Sequence, residues 1–87
     1  MIRAEEAREI AVKKNEILAK VAIEEVVPKI DEIIRKNADI GNTQAIWFAD
    51  ADYSKYIYNI RDFIMTYGYK VVIDFDDERG HYLNIYW

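Results

Sequence analysis

Hydrophobic and polar residues in the first 40 positions follow a spacing that predicts one long helix at about residues 3–37. Strong helix formers dominate this segment, and the helix-stopping sequence NADIGN at 37–42 is expected to end it. Five acid-first pairs at i,i+4 indicate a solvated side, each stabilising the helix by about 0.2–0.5 kcal/mol. The pairs are Glu9–Lys13, Glu16–Lys20, Glu25–Lys29, Asp31–Arg35 and Glu32–Lys36.

Two features distinguish this helix from an ordinary amphipathic one. Pro28 lies inside the pattern, and because Val27 is a poor N-cap we favour a kink over the start of a second helix. If straight, the segment would span about 52 Å, whereas a compact chain of this size has a radius of gyration of about 12 Å. Its apolar residues occupy more than one side, which predicts a homodimer or higher oligomer through this helix. The expected oligomer contacts are Ile10, Ile17 and Val21.

A short aromatic strand and a second helix are predicted next. The strand is expected at about 43–49, TQAIWFA. Over about 52–67 the apolar residues recur at i, i+3, i+4 and i+7, which is typical of one buried side of a helix. Asp50 or Asp52 is expected to cap this helix, and Gly68 to end it. This stretch is rich in tyrosine, and we expect its core or core-edge residues to include Tyr53, Tyr56 and Tyr67.

The last two elements are strands at about 69–75 and 81–87, joined by the turn sequence DDERG. Alternation predicts an apolar side made by Tyr69, Val71, Ile73, Phe75, Leu83, Ile85 and Trp87. The opposite side is predicted to hold Lys70, Val72, Asp74, Tyr82, Asn84 and Tyr86. The expected fold is one α+β domain over 1–87, in the order α-β-α-β-β, with a three-stranded sheet ending in a hairpin. Because a helix connects the first two strands, they should run in the same direction.

Composition and charge restrict the classes of function. The formal net charge is −4, and residues 41–87 carry four basic against seven acidic side chains. There is no basic run, so direct nucleic-acid binding is not expected. The absence of cysteine excludes disulfides and thiolate metal sites. We expect neither a signal peptide nor a membrane span, and therefore a location in the cytoplasm.

The residues offer little for catalysis. His81 is the only histidine and Ser54 the only serine, so a Ser–His or Cys–His nucleophile has almost no candidates. The three glycines stand singly at predicted turns and form no phosphate-binding loop. We therefore expect a protein that is not an enzyme and that uses no cofactor and no metal.

Two candidate binding surfaces lie on the predicted sheet. The first is the side bearing Lys70, Tyr82, Asn84 and Tyr86, which is either open to a partner or covered by the long helix. The second is an acidic edge, because strands running in the same direction would bring Asp50 and Asp52 towards the turn after the fourth element. Its carboxylates either bind a cation or mimic a nucleic-acid backbone, or else they only cap a helix and form a turn. The residues of this edge in and just before the turn are Asp74, Asp76, Asp77 and Glu78.

Three stretches show a resemblance to known proteins that extends, in general character, over the whole chain. They are the opening MIRAEEARE, the end of the tyrosine-rich helix at YGYKV, and the closing YLNIYW. The chain resembles small accessory proteins encoded by bacteriophages of Gram-positive hosts. The resemblance implies an activity based on binding: inhibition of host enzymes or immune systems, including CRISPR nucleases, or sequestration of nucleotide signals used in defence.

The function expected from these observations is inhibition of a host or defence-system protein, similar to that of an anti-CRISPR protein. The alternative is an oligomeric sponge for a small nucleotide messenger, in which tyrosines stack on a base and Arg61, Arg79 or Lys70 meets phosphates. A third hypothesis is a structural, self-assembling protein.

Overall fold

The computed structural model describes all 87 residues, and its first element, α1, is one continuous helix over Ala4–Asp39. Pro28 lies inside it without ending it. The longest dimension of the molecule is 58 Å, close to the roughly 54 Å expected for a straight helix of this length. The expected kink at Pro28 therefore does not fold the helix back on itself. The helix ends where Gly41 adopts a φ of +84°, a conformation that glycine tolerates best.

The remaining elements form a three-stranded antiparallel sheet and two short helices. The strands occur in the spatial order β1-β3-β2, so β3 is central and pairs with both neighbours. Because β1 and β2 are each antiparallel to β3, they run in the same direction, as predicted. The α+β fold with a long first helix and a terminal hairpin is confirmed. The elements are β1 (Gln44–Phe48), α2 (Ala51–Ser54), α3 (Ile57–Met65), β2 (Lys70–Asp76) and β3 (Gly80–Tyr86).

The single helix predicted over 52–67 is divided into α2 and α3. The division falls at Lys55 and Tyr56, and Tyr56 takes the non-helical N-cap position of α3. The i, i+3, i+4 spacing continues through this break, so periodicity alone could not reveal it. Asp50 does occupy the N-cap position of α2, but its side chain makes no capping hydrogen bond.

The three tyrosines expected in the core do not share one environment. Tyr53 and Tyr56 are half-buried and pack against the core, as predicted. Tyr67 is 68% exposed, so its assignment to the core was wrong. The reason is that α3 ends at Met65, and Tyr67 lies in the turn beyond it, where its ring meets the edge of Phe63 with the ring centres 5.6 Å apart.

The core lies between the helices and one side of the sheet. α1 packs mainly over β1 and α3 mainly over β2. Each helix buries one stripe of isoleucines, including Ile30 of α1 and Ile60 of α3. These stripes meet Leu83 and Ile85 of the central strand, which are fully enclosed. The complete cluster is Val26, Ile30, Ile34, Ala45, Trp47, Ala49, Ile57, Ile60, Ile64, Val71, Leu83 and Ile85.

Two residues on the apolar side of the sheet lie outside this core. Phe75 is 55% and Trp87 39% exposed, because both stand at ends of the sheet beyond the helices. Each forms an edge contact with a neighbouring ring, Phe75 with His81 at 5.0 Å and Trp87 with Tyr69 at 6.1 Å.

The N-terminal half of α1 extends past the rest of the molecule. All residues from 1 to 17 are exposed, and the first buried side chain of the helix is Ala19. The radius of gyration is 15.4 Å, against about 12 Å for a compact chain of this length. The most N-terminal side-chain hydrogen bond between α1 and the rest of the chain joins Lys55 Nζ to Asn15 Oδ1 at 3.3 Å. Within one copy, α1 buries a single side, at Ala19, Ala22, Val26, Ile30 and Ile34.

Polar contacts along α1 are few and mostly local. Of the five predicted ion pairs, Asp31–Arg35 and Glu32–Lys36 form, at 2.7 and 3.0 Å. Glu25 instead accepts a hydrogen bond from the Tyr53 hydroxyl at 2.8 Å, and Lys29 Nζ lies 5.9 Å from the centre of the same ring. This hydrogen bond, and then partial burial, raises the pKa of Tyr53.

The enclosure of Ile60 makes it a sensitive probe of the core. We expect Ile60→Ala to lower the free energy of unfolding by about 2–5 kcal/mol, because it leaves a cavity between α3 and the sheet. Ile40→Ala is the matched control, since Ile40 is 76% exposed and its truncation should change stability by less than about 0.5 kcal/mol. Urea unfolding followed by circular dichroism measures both. Equal losses for the two variants would contradict the core described above.

Candidate functional site

The side of the sheet opposite the helices is uncovered, which decides between the two interpretations of this surface. We call it the open face. The aliphatic side chains of Ile46 and Val72 are 45% and 42% exposed there, and α1 does not lie across them. The open face consists of Gln44, Ile46, Phe48, Lys70, Val72, Asp74, Tyr82, Asn84 and Tyr86, as the strand register and the alternation of side chains require.

Three rows of side chains cross the open face from β1 to β2. Each row has a residue of the central strand in the middle. The first row is Gln44, Tyr86 and Lys70; the second is Ile46, Asn84 and Val72; the third is Phe48, Tyr82 and Asp74. The two tyrosines of β3 are therefore separated by one asparagine and stand on the same side of the strand. They form the centre of a surface that the core does not use.

Hydrogen bonds orient the polar groups of the first row. Gln44 Nε2 donates to Asn84 Oδ1 at 3.3 Å and to the Tyr86 hydroxyl at 3.4 Å. Lys70 lies directly across from Tyr86 on the other side, which places a positive charge at this end of the face. This end thus combines an aromatic ring, an amide and an ammonium group.

The third row combines aromatic and charged groups. The rings of Phe48 and Tyr82 are 4.9 Å apart, and the Arg79 guanidinium lies over Phe48 at 5.0 Å. Asp74 is the cross-strand neighbour of Tyr82. Partial burial, followed by the negative charge of Asp74, raises the pKa of the Tyr82 hydroxyl.

The turn between β2 and β3 is held by one carboxylate. Asp76 Oδ1 accepts hydrogen bonds from the backbone N–H of Glu78 at 2.9 Å and of Arg79 at 3.0 Å. These bonds favour the charged form and lower the pKa of Asp76. Gly80 closes the turn with a φ of +84°. Of the predicted site residues, Asp76 thus has a structural task, while Asp77 and Glu78 lie in the turn itself.

The acidic edge does not form as one cluster. The ends of β1 and β2 do lie at the same end of the sheet, but β3 runs between them. Two strand spacings separate β1 from β2 by about 9–10 Å, and the cation of Arg79 lies over Phe48 in this region. This strand order places β2, with Asp74 and Asp76, on the other side of β3 from the end of β1, which Asp50 and Asp52 follow. No group of three or more His, Cys, Asp or Glu side chains could hold a metal ion.

The concave regions of the molecule lie elsewhere. A groove of about 410 Å³ runs between α1 and α3 and is mostly apolar, with Val27, Pro28, Phe63 and Tyr67 among its lining residues. It continues along α1 towards Glu16. None of the lining residues belongs to the open face. The open face is therefore suited to a broad contact and not to enclosing a small molecule.

Alternation within β2 and β3 places five predicted site residues together on the open face: Lys70, Asp74, Tyr82, Asn84 and Tyr86. The sequence interpretation missed the contribution of β1, namely Gln44, Ile46 and Phe48. The same alternation would have found them, since Ala45 and Trp47 point to the core. The position of Arg79 over Phe48 could not be found this way, because it depends on the path of the turn.

Comparison with protein-family models, curated proteins and solved structures found no match for this chain. None of its helices has the length and apolar character that crossing a membrane requires. The open face is therefore assessed from its own geometry.

The two hydrogen bonds that Asp76 accepts from the backbone of the turn generate a pH-dependent prediction. Its folded-state pKa lies below that of an unfolded aspartate, about 3.9, so its contribution to stability is present above that pH and is lost as the pH falls through the folded value. We expect Asp76→Ala to lower the melting temperature at pH 7 and to have a smaller effect at pH 2.5. Asp76→Asn retains an acceptor oxygen and should be intermediate at pH 7.

Asp77→Ala is the control for net charge, because it removes a carboxylate from the same turn without removing these two bonds. Thermal unfolding followed by circular dichroism at the two pH values measures all three variants. If Asp76→Ala and Asp77→Ala have the same effect at both pH values, the carboxylate does not hold the turn.

Proposed function

We propose that this protein acts by binding another protein, and that the open face is its binding surface. The observation that supports this most directly is the pair Tyr82 and Tyr86 on the central strand, flanked by the exposed Ile46 and Val72. An antiparallel sheet covered on one side usually shows polar side chains on the other. Here five of the nine residues of the open face are aliphatic or aromatic.

The composition of the face fits a protein partner. Tyrosine and phenylalanine are enriched in the cores of protein interfaces, and arginine is enriched as well. Tyr82 and Tyr86 are half-buried in the free protein, so little side-chain entropy remains to be lost when they are covered. Asn84, between them, offers a donor and an acceptor that a partner must satisfy, which favours a specific contact over a general apolar one.

Charge indicates what the partner should look like. One end of the face carries Lys70, whereas the other continues into Asp74 and the acidic turn residues Asp77 and Glu78. Such a surface repels nucleic-acid phosphates and attracts a protein whose contact region is basic at the matching end. Together with the resemblance to phage accessory proteins, this favours a host or defence-system protein as the partner. Such a partner would be inhibited because the contact covers part of the surface that it needs for its own activity.

Sequestration of a nucleotide messenger is the second candidate, supported by one specific feature. Lys70 and Arg79 both lie beside aromatic rings of the open face, at Tyr86 and Phe48. Arg61 does not contribute, because it pairs with Asp62 at 2.8 Å and lies over Tyr58 on α3. The face is flat in a single chain, so a sponge would need a second copy to enclose the ligand.

We also propose that the chain self-associates through α1. Ile10, Ile17 and Val21 are all exposed on a helix that extends beyond the rest of the molecule. A structural, self-assembling role would use this helix alone, whereas an inhibitor would use it together with the open face.

Replacing the central tyrosines tests the main proposal. We expect Tyr82→Thr with Tyr86→Thr to weaken binding of the partner at least about tenfold, since truncated aromatic anchors typically have effects of this size. Threonine retains the strand preference of the position. The control is Tyr58→Ala with Tyr67→Ala, which removes two exposed tyrosines from the helical side.

The partner is first isolated by affinity capture from bacterial lysate, with retained proteins and small molecules both identified. The captured protein is then purified, and its affinity for each variant is measured by calorimetry together with its own activity. Loss of binding in the control pair but not in the β3 pair would move the site to the helices. A retained nucleotide without a protein would favour the sponge.

A further inference from the structure

Three exposed apolar residues of α1 and Pro28 follow a heptad pattern, whereas Val12, which is 56% exposed, lies on the side of the buried stripe. Ile10, Ile17, Val21 and Pro28 are separated by seven, four and seven residues, which is the spacing of the a and d positions of a coiled coil. The first three are 61%, 57% and 43% exposed. At 100° per residue, this seam lies on the side of α1 roughly opposite the buried stripe around Val26. A second helix can therefore lie along Ile10, Ile17 and Val21 without meeting the sheet, and at its far end it reaches Pro28, which also borders the groove between α1 and α3.

Two charged residues occupy the same seam. Lys14 is at an a position between Ile10 and Ile17, and Glu24 is at a d position between Val21 and Pro28. Both are exposed. In a parallel pair of helices each of them would face its own copy, lysine against lysine and glutamate against glutamate. In an antiparallel pair a faces d, so the two can neutralise each other.

We propose that two copies of this chain pair through α1 as an antiparallel coiled coil centred on Ala19, an inference that rests on the proposed self-association. In this register Ile17 of one copy faces Val21 of the other, and Lys14 faces Glu24. Ile10 meets Pro28 at the next layer. The helices overlap over residues 4–34, about 46 Å, so the part of α1 that extends beyond one copy is covered by the other.

The charges select this register over its neighbours. A shift by one heptad in one direction leaves Lys14 against Ile17 and Glu24 against Ala7, so both charges are desolvated without a partner. The shift in the other direction pairs Lys14 with Asp31 but leaves Glu24 against Val21. In the register centred on Ala19, Asp31 faces Ala7, and its charge is already paired with Arg35 at 2.7 Å.

One contact opposes the pairing. The two Lys20 side chains approach each other on one flank of the seam, and Glu16 and Glu24 lie one turn to either side of each. The dimer should therefore be reversible and sensitive to concentration, unlike a coiled coil with an uninterrupted apolar seam.

The geometry places the two open faces far apart. In each copy the order of layers is the seam, α1, the sheet and then the open face. The two-fold axis turns one copy over relative to the other, so the open faces point outwards in opposite directions. One dimer would then hold two partner molecules.

Reversal of the seam charges tests the register. We expect Lys14→Glu or Glu24→Lys alone to weaken the dimer about tenfold, because each creates two like-charged layers per dimer. The double variant with both substitutions should regain most of the wild-type affinity. Sedimentation velocity over a concentration series measures the dimerisation, and circular dichroism verifies the fold, since both residues are exposed.

The outcomes separate the two proposals. A wild-type chain that stays monomeric at every concentration overturns both the self-association and the register. A dimer that ignores the single substitutions, or that the double variant fails to restore, overturns the antiparallel register alone.

Cysteine pairing provides a second measurement, because the chain has no cysteine of its own. Ile17→Cys and Val21→Cys chains are mixed and oxidised gently. The antiparallel register predicts a disulfide mainly between the two different variants. Disulfides mainly within each variant would instead indicate a parallel pair and contradict the proposal.

Discussion

The structure depends on the burial of one stripe of α1 against one side of a three-stranded sheet. Val26, Ile30 and Ile34 of the helix meet Leu83 and Ile85 of the central strand. A chain of 87 residues encloses only a small core, and here 14 residues are buried. The helix α3 covers the remaining part of the same side of the sheet. Every large buried side chain therefore lies between the helices and this side. Nothing is left to cover the second side of the sheet or the first half of α1.

Those two uncovered surfaces are the consequence of this arrangement, and both proposals use them. The open face remains available because both helices are needed on the other side of the sheet. The exposed seam remains available because α1 is about twice as long as the sheet requires. Both surfaces contain apolar groups at regular positions, Tyr82 and Tyr86 on the strand and Ile17 and Val21 on the helix. Binding of a partner and pairing of copies can thus occur on opposite sides of one small domain.

Local patterns predicted most of the fold and part of the site. Alternation assigned Tyr82, Asn84 and Tyr86 to one side of β3 correctly, because neighbouring side chains of a strand point in opposite directions whatever surrounds them. Periodicity failed at Tyr56 and Tyr67, where the helical spacing continued although the helix did not. The position of β3 between β1 and β2 could not be predicted from local patterns either. Strand order is a property of the whole chain and not of its segments.

The part of α1 that precedes Asn15 has a consequence for the cooperativity of folding. Residues 4–14 make backbone hydrogen bonds within the helix but bury no side chain in the rest of the molecule. An isolated helical segment this short is marginally stable in water. In a single copy its amide protons should therefore exchange with solvent long before those of Ile30 or Leu83, which require global unfolding. The helix is continuous in shape but divided in stability, and only its second half unfolds together with the sheet.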